Sequence, residues 1–143
     1  MKTFGTTVIL SAIALSACDA APPPAPAGPP VDVTAAEISK LYQENEAKAQ
    51  IAYEGKVLKV TGVVKDIDLS IGDAPIIRLK GSGDAYGMGV NSDGKMTDVN
   101  LSGLTKEDAA AIDKGKKMTF VCQSIQEVMG GAQLADCKVA PAA

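Results

Sequence analysis

Histidine and tryptophan are absent from this 143-residue chain, and aromatic residues make up only 3% of it. Without histidine, no side chain has an ordinary pKa near neutrality, so the usual general base and the commonest metal ligand are missing. No Gly-x-Ser-x-Gly nucleophile motif occurs. The chain therefore reads as non-catalytic, with no metal site and no cofactor. Single-stranded nucleic acid needs a positive groove and stacking aromatics. This chain carries a formal net charge of −3, so nucleic acid is not an expected partner. Nor is any apolar run long enough to span a bilayer, which takes about 20 residues in a helix.

What is present begins at the N-terminus. Met1-Lys2-Thr3 supplies a positive start, and Phe4 to Leu15 a short apolar run. Leu15-Ser16-Ala17-Cys18 follows and reads as a lipobox. Cleavage before Cys18 makes residues 1–17 a signal peptide. Cys18 is then the lipid attachment site, carrying diacylglycerol and palmitate-type acyl chains. An ordinary secretory signal would instead leave an odd, unpaired thiol in an oxidising compartment. The expected location is the periplasmic side of a bacterial envelope, with the membrane as a partner through the lipid. Asp19 reads either as an inner-membrane retention signal, which favours the inner over the outer membrane, or as a solvated tether residue. Residues 18–33 form the tether, dominated by Ala20-Ala-Pro-Pro-Pro-Ala-Pro-Ala-Gly-Pro-Pro30. Proline fixes φ and removes a donor, so this segment favours an extended polyproline II spacer.

Residues 34–143 are one domain's worth of chain. Thr34 and Glu37 have the spacing of a capping box, and apolar positions then recur at helical spacing to Ala52. Lys56 to Asp68 reads as the strongest strand, rich in Val and Ile, with Gly62 marking sharp coiling and a break in alternation before Ile67 marking a bulge. Ala74 to Lys80 and Ala85 to Asn91 read as shorter strands around a Gly81–Asp84 turn. Met96 to Leu101 fits either a short strand or an ordered loop. Thr105 to Asp113 reads as a helix, Lys116 to Val128 as a long strand and Gln133 to Val139 as the last. The tally is five main strands, with one helix before them and one between the third and fourth.

Cys122 and Cys137 fall in the last two strands. A turn centred between Met129 and Gly130 places them opposite each other, within disulfide range. With Cys18 acylated the remaining count is even, and a periplasmic pair of this kind is expected to be a structural disulfide. A redox pair would normally show Cys-x-x-Cys, which is missing. In this register Ile125 and Leu134 pair on the face opposite the cysteines, a mismatch that a bulge near Ser124 would reconcile.

The stretch Tyr42-Gln-Glu-Asn-Glu46 through Tyr53-Glu-Gly-Lys-Val-Leu-Lys-Val-Thr-Gly-Val-Val-Lys-Asp-Ile67 resembles the opening of the tRNA-anti-like OB-fold family. Lys114-Gly-Lys-Lys-Met-Thr119 and Leu134-Ala-Asp-Cys137 resemble its ending. The resemblance implies a mostly β, five-stranded Greek-key barrel. It also implies a small envelope lipoprotein or periplasmic domain, and it carries no assigned activity.

The usual ligand face of that barrel lies around its second and third strands. There Arg78, Lys80 and Tyr86 are the candidate binding residues. Asn45, on an otherwise apolar helix face, reads either as a buried amide bonded to backbone or as a ligand contact at the barrel mouth. Asp66, Asp68 and Asp73 cluster near one turn, but their spacing does not match an EF-hand, and a solvated turn is the simpler reading. The expected function is a membrane-anchored binding module whose partner is an envelope protein or glycan. The alternative is a small-ligand or cation-binding envelope stress protein of the periplasmic OB-fold type.

Overall fold

The β-sheet begins where the proline-rich segment stops. In the computed structural model, which describes residues 28–142, strand β1 (Val31–Thr34) pairs in parallel with β2 (Leu58–Leu69), Val31 facing Leu58. The domain boundary expected at 34 therefore falls at the end of the first strand, and residues 31–33 belong to the sheet and not to the tether. Cys18, Asp19 and the tether up to residue 27 lie outside the described residues.

Helix α1 (Ala35–Glu44) starts directly from β1. Thr34 caps it: the Glu37 N–H donates to Thr34 Oγ1 at 3.2 Å, and the Thr34 N–H and hydroxyl donate to the Glu37 carboxylate. The single helix expected to run to Ala52 is two. Asn45 takes an extended conformation, φ −162° and ψ 98°, ending α1 and capping α2 (Glu46–Tyr53). Its Oδ1 accepts from the Lys48 N–H at 2.9 Å. A short amide side chain competes with the helix for backbone donors, so a position that fits helical spacing can still break the helix.

Strand β2 is twelve residues long and bends through a bulge. Val64 faces Leu79 and Asp66 faces Arg78, so Lys65 is the extra residue. A Cβ at Gly62 would lie 2.9 Å from Ala35 Cβ and 3.1 Å from Leu79 Cδ1. Gly62 thus lets α1 approach the strand closely.

The barrel is completed by β3 (Pro75–Leu79), β4 (Val99–Leu101), β5 (Lys117–Cys122), β6 (Ser124–Val128) and β7 (Gly131–Ala135). The hydrogen-bonded order is β6-β7-β4-β3-β2-β5, with β4 and β7 parallel. Only Gln123 separates β5 from β6, so these two act as one kinked strand that closes the path into a five-stranded barrel. A two-residue strand, β8 (Lys138–Val139), extends the sheet on β5. Helix α3 (Lys106–Ala110) lies between β4 and β5, in the place expected for the second helix.

The third barrel strand is β4 and not Ala85–Asn91. The latter segment is irregular, with only an isolated bridge between Val90 and Met96. Gly87 and Gly89, at φ +71° and +78°, turn the backbone out of the strand region. Inside the barrel, Leu58, Val60, Ile77, Leu79, Val99, Leu101, Phe120 and Leu134 are fully buried. Ile38 and Tyr42 of α1 are buried against this core.

Cys122 and Cys137 are bonded, with Cα atoms 4.0 Å apart. The β6–β7 hairpin pairs Ser124 with Ala135 and Val128 with Gly131, which centres the turn on Met129 and Gly130. Ile125 and Leu134 are buried along with both cysteines. Two backbone irregularities reconcile this. The strand kinks at Gln123, and Asp136 takes a left-handed φ of 52°. Each resets the in–out alternation between the hairpin and the disulfide.

Candidate functional site

Across the outer face of the barrel the register aligns one row of polar side chains. Asp66 of β2 faces Arg78 of β3, Arg78 faces Asn100 of β4, Asn100 faces Gln133 of β7, and Gln133 faces Gln126 of β6. Residues directly opposite in a sheet point to the same side, so five strands present one polar stripe. Its charges are compensated within the fold: Arg78 pairs with Asp68, and Lys114 pairs with Asp66. The Lys114 hydrogen bond holds the Asp66 carboxyl below the usual carboxylate range. Towards β6 the row becomes a set of neutral amides. Asn100 Oδ1 is buried and has no hydrogen-bond partner among the described residues.

The four residues proposed from sequence do not converge. Arg78 lies in the row. Lys80 is exposed just past β3, where its N–H donates to the Val63 carbonyl at 2.9 Å. Tyr86 is 66% exposed on the irregular loop, away from any strand. Asn45 is exposed and spends its side chain on capping α2, so it does not point into the barrel mouth. The three aspartates near the first turn are also drawn apart. Asp66 pairs with Lys114, Asp68 with Arg78, and Asp73 with Lys106.

A second cluster was not legible in the sequence. The long loop from residue 80 to 98 is fastened to the barrel at two places. At the β2 bulge, Lys65 Nζ donates to Asp84 Oδ2 at 3.0 Å and to both Asp98 oxygens at 3.1 and 2.9 Å. The side chains of Asp84 and Asp98 are only 5% and 3% exposed. Burial opposes the charged ammonium of Lys65, but the hydrogen bonds to Asp98 and Asp84 outweigh it, so its pKa stands above the ordinary lysine value. The same bond from Lys65 lowers the pKa of Asp84. At α1, Gln43 Nε2 donates to the Ser82 carbonyl at 2.8 Å, and Asn91 Nδ2 donates to Gln43 Oε1 at 3.0 Å. No motif announces these contacts, because every pair is distant in sequence.

The tRNA_anti-like family model matches residues 8–138. No curated protein matches the chain. Among solved structures, a lipoprotein from Klebsiella pneumoniae subsp. pneumoniae, provisionally named as nucleic acid-binding, has a similar fold. The TM-score is 0.56 at 22% identity, covering 78% of this chain and 92% of that one.

Proposed function

The chain belongs to the tRNA_anti-like family, and on that premise we propose that it is a membrane-anchored, periplasm-facing lipoprotein with a non-catalytic OB-fold module that binds an envelope protein or glycan. Residues 1–17 serve as the signal peptide, Cys18 carries the lipid, and the proline-rich segment spaces the domain from the bilayer. The Klebsiella protein of similar fold, itself described as a lipoprotein, supports this reading.

The observation that carries the binding role is the row Asp66–Arg78–Asn100–Gln133–Gln126. Its amides both donate and accept, which suits the hydroxyls and amides of a glycan or an extended peptide. Its ionic end is neutral overall, since two carboxylates face two cations. A nucleic-acid face would need excess positive charge and aromatic platforms. The row has no aromatic residue, and Tyr86 stands on a separate loop. The nucleic-acid description of the Klebsiella protein is therefore not extended to this chain.

Mass spectrometry of the membrane fraction is expected to find Cys18 acylated, and Cys18→Ala is expected to leave that fraction. A photocrosslinker at Gln133 in intact cells is expected to trap an envelope protein or a glycan fragment. Retention of Cys18→Ala in the membrane would overturn the anchor. Submicromolar binding of a single-stranded oligonucleotide at physiological salt would overturn the choice of partner.

A further inference from the structure

The barrel has a second outer face, formed by β1, β2, β5 and β8, and its chemistry runs against the composition of the chain. Register places Asp32, Lys59, Val121 and Lys138 in one row across the four strands. Thr34, Thr61 and Thr119 form the next row, with the hydroxyls of Thr61 and Thr119 2.8 Å apart. Val63 and Lys117 form the third. The alternate residues Leu58, Val60, Phe120 and Cys122 are buried, so all three rows face outward. In a chain of net charge −3, this face carries three lysines against Asp32 and, at its rim, the Glu37 carboxylate bonded to Thr34. Asp32 is 3.4 Å from Lys59 and largely exposed. Lys117 and Lys138 make no ion pair among the described residues. An open groove of about 540 Å³ borders this face where β5 meets the residues after β8, lined by Lys59, Lys117 and Thr119 of the face together with Met118, Val139 and Ala140.

We infer that this face rests on an anionic phospholipid surface, with lipid phosphate at the lysine-rimmed groove. Two observations select that occupant. One is charge: Lys59, Lys117 and the Thr119 hydroxyl at the groove, with Lys138 beside them on the face, complement phosphate, and the face has no aromatic residue on which a base could stack. The other is where the tether joins. The proline-rich segment enters the fold at Val31, next to Asp32 in the first row. A chain of that length, from Cys18 to Val31, reaches on the order of 40 Å when extended at about 3.1 Å per residue. The anchor thus keeps the lysines at high effective concentration over the bilayer, where individually weak contacts act together. The inference rests on lipid anchoring at Cys18 and adds an orientation to it: the lysine face turns to the membrane and the polar row is left for the partner.

The test is amine labelling of the mature lipoprotein reconstituted in vesicles, read residue by residue by mass spectrometry. In phosphatidylglycerol-containing vesicles, Lys59, Lys117 and Lys138 are expected to label about fivefold more slowly than in phosphatidylcholine alone, the ratio that about 1 kcal/mol of attraction per lysine gives. Raised salt is expected to erase the difference, and Lys40, Lys48 and Lys106 are expected to label equally in both. Protein that pellets with vesicles yet labels identically in the two lipids overturns the docking face while sparing the anchor. Protein that stays in the supernatant overturns both. Protection of the same three lysines by a single-stranded oligonucleotide at physiological salt assigns the face to nucleic acid and overturns the lipid assignment.

Discussion

Lys65 Nζ stands within 3.1 Å of both carboxylate oxygens of Asp98, and it reaches them because Lys65 is the extra residue of the β2 bulge. Without the bulge, strict alternation would aim this side chain elsewhere. The bulge thus converts a local irregularity into the anchor of the 80–98 loop. Replacing Lys65 by Met leaves two nearly buried carboxylates without their cation. The expected loss is about 1–2 kcal/mol, since the Lys65 side chain is 24% exposed and water reaches the site. Urea unfolding measures it, and amide exchange across residues 82–96 should accelerate. Adding Asp98→Asn should recover part of the loss. A change below about 0.5 kcal/mol, typical of an ordinary surface substitution, would refute the anchoring role.

Stability should fall at both extremes of pH, for opposite reasons. Asp66, Asp84 and Glu37 have lowered pKa values in the fold, from Lys114, Lys65 and Thr34 respectively. Their contributions are full above the ordinary carboxylate range near about pH 4 and disappear as pH falls through the lowered values. Tyr42 behaves inversely. Burial, helped by the charge of Glu127, pushes its pKa up to about 12. Its contribution is full below about pH 10 and disappears as pH rises towards 12. The check is chemical denaturation across pH together with tyrosinate absorbance. Tyr42→Phe should reduce the alkaline loss. It should also cost about 1 kcal/mol at neutral pH, through the hydroxyl's bond to Gln50 Oε1.

Gly81 is required by a close backbone crossing. A Cβ built there would lie 1.7 Å from the Thr97 carbonyl oxygen and 2.6 Å from Ser39 Oγ. Gly81→Ala must therefore push the β3 exit away from β4, at an expected cost of about 1–3 kcal/mol. At Gly62 the nearest contact would be the Ala35 methyl at 2.9 Å, so Gly62→Ala should cost less. Thermal melts of the two variants, side by side, give the ranking. The reverse order would show that the loop yields more readily than the helix.

Reducing the Cys122–Cys137 bond, or replacing both residues by Ala, opens a 15-residue loop. The chain-entropy contribution of a loop that size is about 3 kcal/mol. Unfolding with and without reductant should show a loss of that order, and native protein should resist thiol alkylation. Rapid alkylation of both residues before unfolding would contradict the bond.

Local features of this fold were legible in the sequence, and long-range ones largely were not. The Thr34–Glu37 box, the bulge in β2 and the centre of the β6–β7 turn each follow from neighbouring residues. Asn45 misled because its position suits a helix face while its side chain suits a cap. Residues 85–91 read as the third barrel strand because the Gly81–Asp84 stretch reads as a hairpin turn after β3. Within them Gly87 and Gly89 adopt positive φ, and the hydrogen-bonding segment came a dozen residues later, at Val99. Of the candidate face, Arg78 was legible from its strand. Asn100, Gln126 and Gln133 were not, because only the register between four different strands aligns them.

The parallel pairing of β1 with β2 has a mechanical consequence. Any tension on the chain ahead of the domain, as the proposed anchor would apply, enters the fold at Val31, whose N–H bonds the Val57 carbonyl at 2.8 Å. A pull along β1 loads its ladder from Val31 to Thr34 in shear, so the bonds must yield together and not one at a time. On the proposed tether the strand works as a strain relief: the load passes to β2 across the whole β1 ladder and is not concentrated on one bond.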